Sequence, residues 1–197
     1  MSSRRVVITG LGLISPVGNT VASAWEALCN GKSGIGPLTE FDSTPLATRI
    51  VGEINDFDVS LYMSAKDARR HDKFLHYGVA AAKEALEQAG LDTPDHGVNP
   101  ERIGLAIGAG IGGISAIEQI MLFYRDKGPR RISPFYIPGS IINMISGVLS
   151  INYGFKGPNI AVVSACTTST HNIGLAARTI QYGDADVMVA GGSESAT

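Results

Sequence analysis

Cysteine is scarce in this chain: 197 residues contain two, Cys29 and Cys166. Two cysteines cannot form a disulfide framework, and with four scattered histidines they are too few for a structural zinc site. The spacings of His71, His76, His96 and His171 do not resemble a metal-binding helical pair, so neither a metal nor any other cofactor is expected. Long apolar runs are missing as well. No stretch reaches the roughly 18 apolar residues that span a bilayer, and MSSRRVVITG enters a short apolar run without a cleavage site. The expected setting is a reducing cytoplasm, with no export and no membrane insertion. Charge of one sign is lacking too: 16 Lys and Arg stand against 18 Asp and Glu, for a net charge of -2. That balance gives no global basic field for nucleic acid, and a charged partner must be recognised locally. Short-period repeats and low-complexity segments are absent.

What is present suits a layered α/β fold. Hydrophobic residues make up 44% of the chain and charged residues 17%, enough apolar material for a core. Apolar, β-branched runs predict buried strands over residues 5–8, 103–107, 160–164 and 187–190. Helical spacing predicts helices over residues 22–29, 64–89, 115–126, 140–153 and 168–182, with a Gly-, Pro-, Ser- and Thr-rich loop up to about Arg49. Strands apolar on both faces that alternate with helices predict a mostly parallel sheet covered on both sides. The chain stops at GGSESAT directly after a strand, where a βα unit would ordinarily continue into a covering helix, so more of the fold is expected elsewhere.

Cys166 falls between a predicted strand and the first turn of a helix. Free N–H groups and the positive dipole end there favour a thiolate, the nucleophilic form of the side chain. Small neighbours Ser164, Ala165, Thr167, Thr168 and Ser169 leave room for a substrate, and the Cys166 amide can donate to a developing oxyanion. By spacing alone a small buried core cysteine fits as well. Cys29, inside a helix pattern beside Trp25 and Leu28, is expected to be such a core residue. His171 lies more than one helical turn beyond Cys166 and is expected to be structural.

Two further patterns carry a choice of meanings. Gly108-Ala109-Gly110-Ile111-Gly112-Gly113 spells a dinucleotide-binding turn, but no second strand ending in an acidic residue follows, so a turn making a close backbone approach is expected instead. Lys66, Arg69, Arg70 and Lys73 recur at three- and four-residue spacings and should share one helix face, which could be solvated surface only.

Four segments, in order, resemble one family: RRVVITGLGLISPVG, GPRRISPFYIPGSIINM, SACTTSTHNIG and YGDADVMVAGGSE look like the type II β-ketoacyl-acyl-carrier-protein synthases. The resemblance runs nearly end to end. It implies an α/β, thiolase-like fold, layered α/β/α/β/α in the full enzyme, of which residues 1–197 would form an N-terminal ketosynthase half-domain. It also implies a homodimer, with acyl carrier protein in its acyl and malonyl forms as partner. Cys166 would be the nucleophile, and Ile111 and Tyr136 would line the acyl pocket. Lys66, Arg69, Arg70, Arg130 and Arg131 would dock the acidic carrier. The implied reaction is fatty-acid elongation by decarboxylative Claisen condensation. The family's histidines and lysine come from P-G-T-xxx-H and N-S-F-G-F-G-G-T-N type segments, which do not occur in this sequence, so this chain alone is expected to be acylated but not to condense. A noncatalytic partner subunit or carrier-binding module is the alternative, disfavoured by retention of Cys166. A degradative thiolase is weaker still, given the basic positions and the CTTS context.

Overall fold

The computed structural model describes residues 4–196. Helix α1 (Val21–Cys29) starts at Thr20, whose hydroxyl accepts the Ser23 N–H, and ends at Asn30. A two-residue antiparallel pair, β1 (Gly36–Pro37) with β2 (Ile50–Val51), closes the following loop. Next come α2 (Ala65–Ala68), α3 (Lys73–Gln88), β3 (Ile103–Gly108), α4 (Ile114–Lys127), α5 (Tyr136–Ser140), α6 (Met144–Tyr153), β4 (Asn159–Ile160), α7 (Thr168–Tyr182) and β5 (Val187–Gly192).

The main sheet is parallel, in the order β4-β3-β5, and every residue of β3 is buried. Strand alternation divides β3 between two helical layers. Ile103, Leu105 and Ile107 join Leu75, Val79, Ala82 and Leu86 of α3 with Ile145 and Leu149 of α6 in one core cluster. On the other face Thr168 and Asn172 of α7 lie against Gly108. Each apolar residue in such a core contributes about 1.5–3 kcal/mol through burial, so β3 is the best-anchored element and a rigid platform for the loop after it.

Several expected elements differ in the structure, each for a visible reason. Residues 5–8 are not a strand: Val7 and Ile8 are exposed, and the segment that follows runs across α3. There Leu11 N donates to Gln88 Oε1 at 2.6 Å and Leu13 N to Glu84 Oε2 at 3.0 Å, so side chains of α3 replace a strand partner. The helix expected over 64–89 is broken. Asp72 caps α3, its own N–H donates to Gly139 O at 3.0 Å, and its carboxylate also accepts Ala116 N of α4 at 2.8 Å. Lys66 and Lys73 therefore belong to different helices. The helix expected over 140–153 begins at Met144, because the Ser140 carbonyl accepts Gly113 N at 2.9 Å and the chain at Ile141 is extended. The strand expected over 160–164 is replaced beyond Ile160 by hydrogen bonds to α7 side chains. Cys29 is exposed, since α1 buries Ala24 and Ala27 and turns Trp25 and Leu28 outward. Among the described residues no helix is long and apolar enough to cross a membrane.

Candidate active site

The loop between β4 and α7 is built by side chains rather than by a sheet. Asn172, fully buried, accepts Val162 N and donates to Val162 O, and Thr168 Oγ1 accepts Ser164 N at 2.9 Å. These contacts leave residues 165–167 as a single 3₁₀ turn that runs directly into α7. Ala165 adopts φ of 52°, a left-handed conformation that costs a residue with a Cβ about 1–2 kcal/mol. Strain of this kind persists only where surrounding contacts impose it. The result is an exposed Cys166 at the N-terminal end of a fifteen-residue helix. Its amide lies in the 3₁₀ turn immediately ahead of α7.

Cys166 opens onto a cleft of about 450 Å³, more apolar than polar, whose walls include Gly110, Ile111, Ser169 and Glu194. The 108–113 turn approaches the cysteine turn closely. A Cβ added at Gly110 would lie 3.3 Å from Ala165 Cα, and Gly112, at φ of 83°, would bring one within 2.7 Å of Ser140 O. Glycine is required at Gly112, and at Gly110 a side chain would force its neighbours to give by a few tenths of an ångström. The dinucleotide spelling of this turn has no room to act: the N–H groups of Ile111 and Gly112 are already taken by the Glu194 carboxylate, so no phosphate cradle is open.

His171 is exposed and its Nδ1 meets Ser164 Oγ at 2.5 Å, which ties the helix to the residue two before Cys166. The imidazole is thus directed at Ser164.

Tyr136 lies elsewhere. It lines a second cleft of about 260 Å³ with Arg69, Arg70, His71, His76 and Phe135. Arg70 stacks over Phe135 at 3.8 Å, and Lys73 pairs with Glu40 at 2.6 Å. Lys66, Arg69, Arg130 and Arg131 are exposed, the last two on a 3₁₀ turn after α4. The structure therefore brings Ile111 to Cys166, and Tyr136 to Arg69 and Arg70. Burial lowers the basicity of both His71 and His76, and their mutual repulsion adds to this at His71, whose Nδ1 is buried with no hydrogen-bond partner among the described residues. No metal-holding group of His, Cys, Asp and Glu occurs among the described residues.

Sequence reasoning missed Asn172, Glu194 and Asp72, and took Thr168 only for a small neighbour of Cys166. For Asn172 and Thr168 a signal existed: Thr168, Asn172, Ala176 and Thr179 recur on the buried face of α7, and a polar residue on such a face must find a specific partner. Glu194 follows the end of a parallel strand, where α/β sheets place their ligand-binding groups.

The chain matches the family model "Beta-ketoacyl synthase, N-terminal domain" over residues 3–197. It is 55% identical to 3-oxoacyl-[acyl-carrier-protein] synthase 2 of Vibrio cholerae, across all of this chain and 47% of that protein. The Staphylococcus aureus protein of the same name is 45% identical across 98% of this chain and 46% of its own length. The chain thus spans about half the length of the curated relatives it matches. Among solved structures, a β-ketoacyl synthase from Burkholderia phymatum superposes with a TM-score of 0.85 at 25% identity, covering 98% of this chain and 48% of that one. A type II PKS acyl-carrier protein in complex with its ketosynthase, bound to the hexaketide, gives 0.82 at 28% identity, covering 98% and 52%. The ketosynthase fold and the match over nearly every residue make this chain a member of the β-ketoacyl synthase family, corresponding to its N-terminal domain.

Proposed function

We propose that this chain supplies the nucleophile and the first part of the acyl-binding cleft of a 3-oxoacyl-acyl-carrier-protein synthase that elongates fatty acids. The observation that carries the reading is the exposed Cys166, held by a strained turn at the start of α7 and opening onto a largely apolar cleft. The family membership and the names of the relatives support it.

In the first half-reaction the Cys166 thiolate attacks the thioester carbonyl of an acyl carrier protein. The negative charge that develops on the carbonyl oxygen meets the Cys166 N–H, the carrier's thiolate leaves, and the acyl group remains on sulfur as a thioester. The apolar wall that includes Ile111 receives the start of the chain. In the second half-reaction malonyl-carrier protein loses carbon dioxide, and its carbanion displaces Cys166 from the acyl carbonyl. That step draws on histidine and lysine motifs that family resemblance places outside this sequence. The exposed Lys66, Arg69, Arg130 and Arg131, with Arg70 beside them, supply the positive surface for the acidic carrier. Tyr136 borders that basic surface here, and its contact with the acyl chain would require a homodimer partner to complete the pocket.

The test is intact-mass spectrometry after incubation with a long-chain acyl carrier protein, with Cys166→Ala as control. One acyl adduct that the control lacks is the expected result. No adduct, or an adduct retained on Cys29, would overturn the assignment.

A further inference from the structure

Glu194 shares the Cys166 cleft yet has no part in the chemistry proposed above. Its carboxylate spans the 108–113 turn: Oε2 accepts Ile111 N at 2.7 Å and Oε1 accepts Gly112 N at 3.1 Å. No cation lies within ion-pair distance of it among the described residues, so these two amides are its visible compensation. The backbone that carries Glu194 is itself fixed. The neighbouring Ser193 donates its N–H to Gly108 O at 3.0 Å and its hydroxyl to Phe74 O at 2.8 Å, which anchors it to β3 and α3.

The turn needs such a clamp. It holds four glycines, leaves the sheet ladder after Gly108, and leads into α4, which has no side-chain N-cap. A Cβ at Gly110 would meet Glu194 Oε2 at 3.1 Å on one side and Ala165 Cα at 3.3 Å on the other, so the turn is wedged between carboxylate and cysteine loop. Ile111 is 54% exposed at the cleft and contacts too little of the core to fix itself. Its position follows the turn, whose ends are tied by Ser193 N to Gly108 O and by Gly113 N to Ser140 O and whose middle is held by Glu194.

We infer that Glu194 is a positioning residue that sets which acyl-chain lengths Cys166 accepts, by clamping the Gly110–Gly112 turn and with it the Ile111 side chain. The inference rests on the proposed acyl transfer to Cys166. Without the clamp, two backbone N–H groups lose their acceptor and a glycine-rich segment gains freedom, so Ile111 no longer presents one fixed surface to a chain entering the cleft. A short acyl group that ends before Ile111 does not register the change, whereas a longer one does.

The test compares hexanoyl and palmitoyl transfer from acyl carrier protein to Cys166 in the intact protein, for wild type, Glu194→Gln, Glu194→Ala, Ile111→Ala and the Glu194→Gln/Ile111→Ala double variant. The expected result is a change of about tenfold in the palmitoyl-to-hexanoyl rate ratio for Glu194→Ala and a smaller one for Glu194→Gln, which keeps one acceptor. In the Ile111→Ala background, Glu194→Gln should leave the ratio unmoved. Hydrogen exchange of the Ile111 and Gly112 amides should quicken in both single Glu194 variants. An unchanged ratio with wild-type acylation, or equal losses for both chain lengths, overturns the inference and leaves the transferase reading intact. Failure of wild-type Cys166 to accept either chain overturns both. Unchanged amide exchange overturns the clamp even in a variant too unstable to assay.

Discussion

Asn172 stands in for a neighbouring strand at Val162: its Oδ1 accepts the Val162 N–H at 3.0 Å while its Nδ2 donates to the Val162 carbonyl at 3.1 Å. A third bond, from Nδ2 to Thr168 O at 3.0 Å, ties the same amide to the first turn of α7. The cysteine loop is thereby fastened to the helix that follows it. Replacing Asn172 with Leu leaves two backbone groups without partners and should cost about 3 kcal/mol. Urea unfolding gives the stability, and alkylation of Cys166 with iodoacetamide should slow as the loop loses its shape. A loss below about 1 kcal/mol would mean that water replaces the amide.

Ala165 offers a test with two signs. At φ of 52° its Cβ is strained, so Ala165→Gly should raise stability by about 0.5 kcal/mol once the greater freedom of glycine in the unfolded chain is counted. Ala165→Val places a branched side chain in the same conformation and should lose about 2–3 kcal/mol. Thermal unfolding of the pair decides the matter. If both variants lose stability, the turn is not strained. The glycine variant should also acylate more slowly, because the thiol is no longer held in one direction.

How much of this was legible before the structure depends on where each element's instructions reside. The helix over 168–182 and the strand over 103–108 are written locally, in apolar spacing and β-branched runs. So is the position of Cys166 just ahead of α7, although the strand expected before it ends at Ile160. The breaks at Asp72 and Ser140 are not, because each is made by a hydrogen bond to a residue distant in the chain: Asp72 to Ala116, and Ser140 to Gly113. Residues 5–8 read as a buried strand because their composition is that of one, yet here α3 side chains take the following amides and leave Val7 and Ile8 exposed. The place of Glu194 after a strand was legible, but its acceptor role, like that of Asp72, is set by backbone far away in sequence.

Charge reversal separates docking from chemistry. Arg130→Glu with Arg131→Glu should raise KM for the acyl carrier protein by about tenfold at low salt while kcat changes little. Raising ionic strength should weaken the wild type and narrow the difference, because these exposed charges act through screened fields. A loss confined to kcat would place the two arginines outside carrier recognition.

Stability should depend on pH in two windows. Burial lowers the pKa of His71 and His76 from an ordinary 6.5, so the fold prefers them neutral. Their contribution is complete above that value and is lost as pH falls below it, since the unfolded chain binds the protons more readily. Asp186 is lowered to about 2 from 3.8, first by its hydrogen bond from Arg102 and then by that from Arg4. Its contribution is present above 3.8 and is lost between there and about pH 2. Melting temperature should therefore fall in two steps on acidification. The double variant His71→Gln/His76→Gln should abolish the upper step, and Asp186→Asn should shrink the lower one, to which the lowered carboxyls of Asp42, Glu53, Asp58 and Asp67 also contribute. An upper step that persists, or a lower step of unchanged size, would assign it to other groups.

The central strand also sets the order in which the chain can mature. Leu105 of β3 pairs with Asn159 and Ile103 with Val187, so both edges of the most buried strand await segments made much later during synthesis. Pairings so distant in sequence must overcome a large loop-closure entropy, and chains dominated by them fold slowly. Until β4 and β5 emerge from the ribosome, α3 and α6 cover the apolar face of β3. Release of a nascent chain truncated between α6 and β5 should expose an open-edged apolar strand, and such intermediates are the ones that aggregate.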